Sequence, residues 1–265
     1  MEPITSLANP KVRWARSLLR GRSRRREGHF LIEGVRLVEE ALRVGIIPTL
    51  AFFSPTLGTT PRGQVLLQAL QALPGARERI LLASEAVLQS LSDTVTPQGI
   101  VAAVLFPQPS PGPPGLLLVL DRLRDPGNLG TILRTAWAAG VEEVWLPPGT
   151  VDPYNPKVVR GAMGAHFWLS LRLRVRWDEV AARAPGRPIW LATAQGGIPY
   201  DQVDWRVPSI LIVGGEAEGA SPEAEALATG RVHIPMEQGV ESLNAAVAAA
   251  ILLFEARRQR VCGRA

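Results

Sequence analysis

A proline-rich stretch divides the sequence into two segments that must build separate folds. The stretch PQPSPGPPG, residues 107–115, contains five prolines. Each proline lacks a backbone N–H and fixes φ, so neither a helix nor a central strand can continue through the stretch. The sequence therefore predicts a small domain over residues 1–106, a linker over 107–115 and a larger domain over 116–265.

Both segments alternate strand patterns with helix patterns. In the first segment, strands are predicted at HFLIEG, TLAFFS, RILLA and IVAAVLF. In the second, strands are predicted at LLLVLD, EEVWL, LRLRV, IWLAT, SILIVGG and RVHIP, with helices between them that include 129–139, 156–163 and 243–260. Continuously apolar runs such as LLLVLD are typical of strands buried on both faces. We therefore predict an α/β fold, with a mostly parallel sheet covered by helices on both faces and preceded by a small α/β domain.

Composition argues against several classes of protein. The chain has 265 residues, 46% of them hydrophobic, which is enough to form proper cores. No apolar run reaches membrane-spanning length and the amino terminus lacks a signal-peptide core, so we predict a cytoplasmic protein. Cys262 is the single cysteine, and the three histidines give no metal-ligand pair at helical spacing. We therefore expect neither disulfides nor a metal.

Positive charge is concentrated at the amino terminus. The net charge of +5 and the pI near 10.3 favour a polyanionic partner. Arginine pairs bidentately with phosphate and stacks on bases, so the run RGRSRRR favours nucleic acid over the competing interpretation of a solvated basic face. Trp14 lies among these arginines and is a further candidate for RNA contact, whereas Trp137, Trp145 and Trp190 are predicted to be core. The candidate RNA-binding residues are Lys11, Arg13, Arg20, Arg22, Arg24, Arg25 and Arg26.

Three loops that follow predicted strands carry unusual residues. In the first loop, a helix is predicted to begin at Asn128 or Leu129 and to end before Gly140, with Arg134 nearly opposite its apolar stripe. The second loop, LIVGGEAEGAS, has more glycines than a plain turn needs and could let a ligand approach the backbone. In the third, Ser242 is the predicted N-cap of the last helix and Asn244 lies in its first turn. The predicted core stripe of that helix is Leu243, Val247, Ala250, Ile251 and Phe254.

The three loops together resemble a known family. In order and spacing they are similar to the three motifs of the SpoU or TrmH-type RNA ribose 2'-O-methyltransferases of the SPOUT superfamily. The matching stretches are DPGNLGTILRTAWAAG, VGGEAEG and IPMEQGVESLNAAVA. The first segment is similar to the small substrate-binding domain of such enzymes in ITSLANPKVR, FLIEGVRLVEEAL and TPQGIVAAV. The resemblance implies a deep trefoil knot, a homodimer whose active site is completed across the interface, and S-adenosylmethionine as cofactor.

The resemblance also assigns residues. It implies that Asn128, Arg134, Glu216, Ser242 and Asn244 form the reaction centre. It implies cofactor contacts by Gly214, Ile234 and Leu243, with Thr193, Gly215 and Met236 as further candidates. An arginine side chain is not deprotonated in proteins, so we expect Arg134 to orient the ribose and stabilise developing alkoxide charge rather than to act as a base.

The expected substrate is ribosomal RNA, because the whole first segment resembles that of ribosomal-RNA members. Transfer RNA is the alternative substrate. A non-catalytic RNA-binding protein on the same scaffold is the alternative from another class. A nicotinamide-dependent oxidoreductase is a further alternative, which the missing G-x-G-x-x-G fingerprint opposes.

Overall fold

A computed structural model of the chain describes residues 2–94, 97–216 and 219–262. It divides into two compact units, one formed by Met1–Pro107 with Tyr154–Phe167 and the other by Gln108–Pro153 with Trp168–Ala265. The chain thus passes from the first unit to the second within the proline-rich stretch. Residues 154–167 differ from the predicted division, because they fold with the first unit although they follow the linker.

The first unit contains a four-stranded mixed sheet. Its elements are α1 (Pro10–Ser17), α2 (Gly21–Glu27), β1 (His29–Glu33), α3 (Val35–Arg43), β2 (Leu50–Phe53), α4 (Pro61–Gln71), α5 (Ala76–Arg79), β3 (Ile80–Leu82), α6 (Glu85–Leu91) and β4 (Ile100–Leu105). The strand order is β1-β4-β2-β3, in which only β2 and β3 pair in parallel. Both faces of the sheet are buried, since Phe30 and Ile32 pack in one apolar cluster and Leu31 in another. The strands agree with the predicted runs, whereas α1 and α2 were not predicted.

The second unit is built on a parallel sheet, as predicted. The elements after the linker are β5 (Leu116–Asp121), α7 (Pro126–Ala139), β6 (Glu143–Leu146), α8 (Pro156–Ala162), β7 (Leu171–Leu173), α9 (Trp177–Ala182), β8 (Ile189–Thr193), β9 (Ile198–Pro199), β10 (Ser209–Gly214), α10 (Pro222–Leu227), β11 (Gly230–His233) and α11 (Ala245–Cys262). All of them belong to the second unit except α8, which folds with the first. The order is β7-β6-β5-β10-β8-β11-β9, and every pair of neighbours is parallel.

Strand β5 shows why its sequence is apolar throughout. Leu117 and Val119 pack in one apolar cluster with residues of β8 and β10. Side chains alternate between the faces of a strand, so Leu116, Leu118 and Leu120 point to the opposite face, and they too are at most 1% exposed. Both faces of the sheet are therefore covered, which is the condition that the continuous apolar run predicts.

Two helix starts differ from the sequence predictions. Helix α7 begins at Pro126, because the Asp125 side chain accepts a hydrogen bond from the Asn128 N–H (2.7 Å) and acts as the N-cap. Ser242 does not cap α11. The cap is Asn244, whose side-chain oxygen accepts hydrogen bonds from the N–H groups of Ala246 (2.9 Å) and Val247 (3.3 Å).

The buried face of α11 also differs from the predicted stripe. Its buried residues are Ala246, Ala249, Leu252, Leu253 and Ala256. Val247 and Phe254 are instead exposed, at 49% and 48%. Across the described residues, no helix is both long and apolar enough to cross a membrane.

Candidate cofactor pocket and reaction centre

A pocket lies in the second unit where neighbouring strands end. Strand β8 ends at Thr193, β10 at Gly214 and β11 at His233, and the carboxyl ends of parallel strands meet at one edge of a sheet. The loops after these strands and the start of α11 enclose a cavity of about 520 Å³. This volume lies within the range of small-molecule sites.

All six residues predicted to contact the cofactor line this pocket. They are Thr193, Gly214, Gly215, Ile234, Met236 and Leu243. Apolar contact comes from Leu191, Val213 and Leu252, and polar lining comes from Glu216, Ser242 and Asn244. A cavity lined by both apolar and polar groups suits a ligand that has both an aromatic and a charged part.

The glycine loop after β10 is packed against the end of β5. A Cβ on Gly215 would lie 2.4 Å from the Arg122 carbonyl oxygen, and one on Gly214 would lie 2.7 Å from the Ala220 nitrogen. A side chain at Gly215 would push the loop away from the end of β5, and one at Gly214 would clash with the backbone of the loop itself. The glycines are therefore required by backbone packing as well as by any approach of a ligand. Ala217 and Glu218 of the predicted motif lie outside the described residues.

Two residues that the sequence analysis missed anchor the same loop. The Asp121 carboxylate, in a residue 1% exposed, accepts a hydrogen bond from the Ser221 N–H (2.6 Å). The Arg122 guanidinium donates to the Ala220 carbonyl (2.7 Å). A charged residue that ends an otherwise apolar strand is the signal that could have identified Asp121.

Three of the five predicted reaction-centre residues form one hydrogen-bonded chain. Asn128 Nδ2 donates to Glu216 Oε1 (2.5 Å), and Asn244 Nδ2 donates to Asn128 Oδ1 (3.0 Å). The chain joins the first turn of α7, the glycine loop and the cap of α11. Because Glu216 and Asn244 also line the pocket, Asn128 is held directly beside it.

The other two predicted residues lie outside this chain. Ser242 lines the pocket and is exposed to solvent. Arg134 is exposed on α7 and has no hydrogen-bond or ion-pair partner among the residues that the structure describes. Six residues separate it from Asn128, which corresponds to about 9 Å along the helix axis.

Comparisons with known proteins agree with this geometry. The SpoU rRNA methylase family matches residues 115–254, and an MRM3-like substrate-binding domain matches residues 9–102. The chain belongs to the SpoU rRNA methylase family. The 23S rRNA (guanosine(2553)-2'-O)-methyltransferase RlmP of Bacillus subtilis is 33% identical, over 97% of this chain and 100% of RlmP.

Solved structures give the same result. An RNA 2'-O ribose methyltransferase has a TM-score of 0.81 and 36% identity, covering 98% of this chain and 100% of its own. An AdoMet-bound rRNA methyltransferase from Sinorhizobium meliloti has a TM-score of 0.82 and 31% identity, covering 97% of each chain. This SpoU methylase is an rRNA ribose 2'-O-methyltransferase, and two homologous crystal structures contain bound S-adenosylmethionine.

Most of the basic residues predicted to bind RNA lie exposed on the small unit of this SpoU methylase. Lys11 and Arg13 are on α1, and Arg20, Arg22, Arg25 and Arg26 lie on or next to α2. Some of them have protein partners, since Lys11 Nζ donates to the Glu78 carbonyl (2.6 Å) and Arg26 pairs with Glu27 (2.8 Å).

Arg24 corrects the predicted RNA-binding set. It is 3% exposed, and its Nη1 donates to the carbonyl oxygens of Leu18 (2.9 Å) and Leu19 (2.8 Å). These carbonyls follow α1, where the end of a helix leaves acceptors without an intrahelical donor. Arg24 therefore holds the turn between α1 and α2, and its guanidinium faces the protein rather than solvent.

Two of the three tryptophans predicted to be core, Trp137 and Trp190, are only partly buried. Trp145 is core, at 1% exposed, as predicted. Trp14 is half-buried, and its Nε1 donates to Glu27 (3.1 Å), so the indole is already engaged within the small unit. Trp137 is only partly buried and stacks on Trp168, which is 41% exposed.

Proposed function

We propose that this SpoU methylase transfers a methyl group from S-adenosylmethionine, bound in the pocket at the ends of β8, β10 and β11, to a ribose 2'-hydroxyl of 23S ribosomal RNA. The observation that carries the proposal is the chain Glu216–Asn128–Asn244 at the edge of a pocket lined by all six predicted cofactor residues. The relative RlmP, similar over nearly the whole chain, is named for the same reaction on 23S rRNA. An enzyme with this substrate is expected in the cytoplasm.

The pocket has the properties that S-adenosylmethionine requires. Its backbone N–H and C=O groups at the glycine loop suit the polar edge of an adenine, and its apolar lining suits the ring faces. When bound, the cofactor would supply a methyl group carried on a positively charged sulfur. The sulfur would leave as a neutral thioether, and the proton of the ribose hydroxyl would pass to solvent. Gly214, Ile234 and Leu243 would hold it through their backbone groups, with Thr193, Gly215 and Met236 completing the contacts.

Asn128 and Asn244 would position the ribose hydroxyl. Each amide is held at both its oxygen and its nitrogen by protein hydrogen bonds, and the pair lies beside the pocket. Each Nδ2 has a second N–H, which can reach the ribose oxygen. Glu216 orients Asn128 and fixes the glycine loop against the start of α7. Preorganised polar groups of this kind lower the barrier because they need not reorient during the reaction.

Arg134 would act on the same hydroxyl through charge. Its guanidinium is exposed and is without a partner in the described parts of the chain, so its donors are available to a phosphate and to developing negative charge on the ribose oxygen. Bidentate pairing with a phosphate would also fix the orientation of the ribose. Ser242, at the pocket edge, would add one further hydrogen bond.

A homodimer and a knot complete the proposal. On α11, Val247, Phe254 and Val261 are 49%, 48% and 59% exposed, and their spacing of seven residues places them on one helix face. An apolar face of this kind supports association of two copies along α11. The family's trefoil knot is supported by the chain path, since β8 lies between β10 and β11 and the last helix then returns to pack on α7 and β10.

The experiment measures transfer of labelled methyl from S-adenosylmethionine into unmodified ribosomal and transfer RNA pools, followed by nucleoside analysis. We expect a 2'-O-methylnucleoside in ribosomal RNA with the wild type and its loss with Arg134→Ala. Arg206→Ala is the matched control, because Arg206 is an exposed arginine just before β10, away from the pocket edge. Methylation found only in the transfer RNA pool would mean that the substrate is transfer RNA and not ribosomal RNA. Near-full activity of Arg134→Lys would contradict bidentate orientation.

A further inference from the structure

Two tryptophans of the second unit form a stacked pair on its surface. The rings of Trp137 and Trp168 have centroids 5.8 Å apart and an angle of 12° between their planes. Trp168 is 41% exposed and Trp137 is partly buried. Stacking holds the Trp168 indole in a fixed orientation while much of it faces solvent. A large aromatic surface left in water is unfavourable for stability and often marks a binding site.

The pair lies next to the exposed arginine of the reaction centre. Trp137 follows Arg134 by three residues on α7, so the two side chains are neighbours on the helix surface. Along the helix axis, Trp137 is about 4.5 Å beyond Arg134 and about 13 Å beyond Asn128. From its first turn onward, α7 therefore passes the edge of the pocket, then Arg134 and then the tryptophan pair.

The surroundings of the pair suit an RNA strand. Strand β7, which begins three residues after Trp168, carries the exposed Arg172, and the exposed Arg174 directly follows the strand. Arg172 lies over the Trp145 ring at 4.8 Å and pairs with Glu179 at 3.5 Å, whereas Arg174 has no ion-pair partner within the described residues. Unpaired bases of RNA are recognised by stacking on aromatic side chains next to cations that contact phosphate.

The pair is separate from the apolar face of α11. In the sheet order, β6 and β10 flank β5 on opposite sides. Trp168 precedes β7, beyond β6, whereas α11 contacts α7 and β10. The tryptophan pair and α11 thus lie on opposite sides of α7, so contact between two copies along α11 does not account for the exposed indole.

We infer that Trp137 and Trp168 form a stacking platform for an unpaired nucleobase that flanks the methylated nucleotide. The inference rests on the proposed RNA methyltransferase function and adds to it a feature of the substrate. The target ribose lies at Asn128 and Arg134, the backbone crosses Arg134, and the next base stacks on Trp168. The platform is a positioning element, which contacts the RNA away from the reacting atoms.

The test compares Trp168→Ala and Trp168→Phe with the wild type, using 23S ribosomal RNA transcribed in vitro. We expect Trp168→Ala to raise the Kd and the KM for the transcript about ten-fold, the order of one lost base stack, with kcat nearly unchanged. Trp168→Phe keeps an aromatic plane and should restore binding to within about three-fold of the wild type. The Kd for S-adenosylmethionine and the oligomeric state should not change in either variant.

Val207→Ala is the matched control. Val207 is also 41% exposed, but it precedes β10, which lies on the other side of β5 from β6 and β7, and so it is away from the tryptophan pair. Equal transcript affinity for Trp168→Ala and Val207→Ala would overturn the platform, and so would a change in oligomeric state confined to Trp168→Ala. Methyl transfer by the wild type tests the proposed function, whereas the ratio of Kd values tests the platform. The two can therefore fail separately.

Discussion

At the residue scale, Asn244 uses the two ends of one amide for different tasks. Its oxygen accepts the N–H groups of Ala246 and Val247 and caps α11, while its nitrogen donates to Asn128. The cap is a contribution to stability and the donor is a contribution to the site. Because the two ends are chemically distinct, substitutions can separate them.

Asn244→Ala removes both the oxygen that caps α11 and the nitrogen that donates to Asn128. Asn244→Asp keeps the capping oxygen and removes the donor. We expect Asn244→Ala to lower the free energy of unfolding by about 1 kcal/mol, and Asn244→Asp to leave it nearly unchanged, because aspartate caps helices as well as asparagine does. Both should lower kcat about ten-fold, the equivalent of roughly 1.4 kcal/mol. In Asn244→Asp a second carboxylate joins Glu216 beside Asn128, whose oxygen loses its donor.

Urea unfolding and methyl-transfer kinetics on the two variants supply the comparison. Full activity in Asn244→Asp would mean that the bond to Asn128 does not matter for the reaction. Equal destabilisation of both variants would mean that the capping contribution is wrongly assigned.

At the element scale, α11 is where sequence reasoning and structure differ most. The helix is rich in alanine and has apolar residues on more than one side, so a helical wheel offers two possible core faces. The stripe through Val247 and Phe254 was predicted to be buried, yet the chain buries the alanine and leucine face instead. The small alanines allow close approach of α11 to α7, and Val247 and Phe254 remain on the exposed side.

Phe254→Glu should weaken the proposed dimer. A carboxylate in an apolar interface loses hydration without gaining a partner, so we expect a shift to monomer at concentrations where the wild type is dimeric. Sedimentation velocity over a concentration series measures the shift. Val65→Glu is the control, since Val65 is an exposed valine on α4 of the small unit, at 64%. A Phe254→Glu protein that stays dimeric would show that the subunits associate through another surface.

Glu142 joins the start of β5 to the region after α9. Its carboxylate, in a residue 4% exposed, accepts the Gly115 N–H (2.9 Å) and bonds from Arg187 (2.7 Å) and Arg183 (2.5 Å). Burial alone would raise the pKa of Glu142, but the hydrogen bonds from Arg187 and Gly115 and the charges of both arginines outweigh it. The pKa is therefore lowered from its ordinary value of 4.5.

Glu142→Gln should lower the free energy of unfolding by about 3 kcal/mol at neutral pH, because it leaves two arginines facing a neutral side chain. A lowered folded-state pKa gives stability that is fully present above 4.5 and is lost as pH falls through the folded value. The difference between wild type and variant should thus shrink at acidic pH, below 4.5. Urea unfolding from pH 7 to pH 3 tests this, and a difference that is constant with pH would exclude the ionised carboxylate as its source.

Sequence patterns predicted the strands and residues of the candidate site better than the hydrogen bonds that join them. The continuous apolar runs predicted β5 and β10, and the family motifs predicted Asn128, Glu216 and Asn244 as site residues, which lie in one hydrogen-bonded chain. The bond between Asn244 and Asn128 joins residues 116 positions apart, and Asp121 reaches Ser221 across 100 positions. Local periodicity carries no information on such pairs, because they depend on which strands become neighbours in the sheet.

At the scale of the whole molecule, the first unit includes a segment of chain from beyond the linker. Residues 154–167 follow β6 in the sequence but fold with the first unit. Tyr154 stacks on Phe106 at 4.1 Å and lies 4.9 Å from Phe30, and Phe167 packs in the same cluster. The proline-rich stretch marked one crossing between the units, but nothing in its composition indicated a return, which depends on where these aromatic side chains find a core.

Phe167→Ala should therefore destabilise the unit that precedes the linker. Phe167 is 5% exposed, and truncating a buried phenylalanine costs about 3 kcal/mol through lost burial and the cavity left behind. Hydrogen exchange should show lower protection in β1 and β4, with β5 and β10 less affected. Trp168→Ala is the control at the neighbouring position, because Trp168 belongs to the second unit. If both variants lowered protection in the same strands, residues 154–167 would not be an integral part of the first unit's core. If only Phe167→Ala lowered protection in β1 and β4, a fragment that ends at the linker would lack part of the core of the first unit. The small unit would then have to be produced together with residues 154–167.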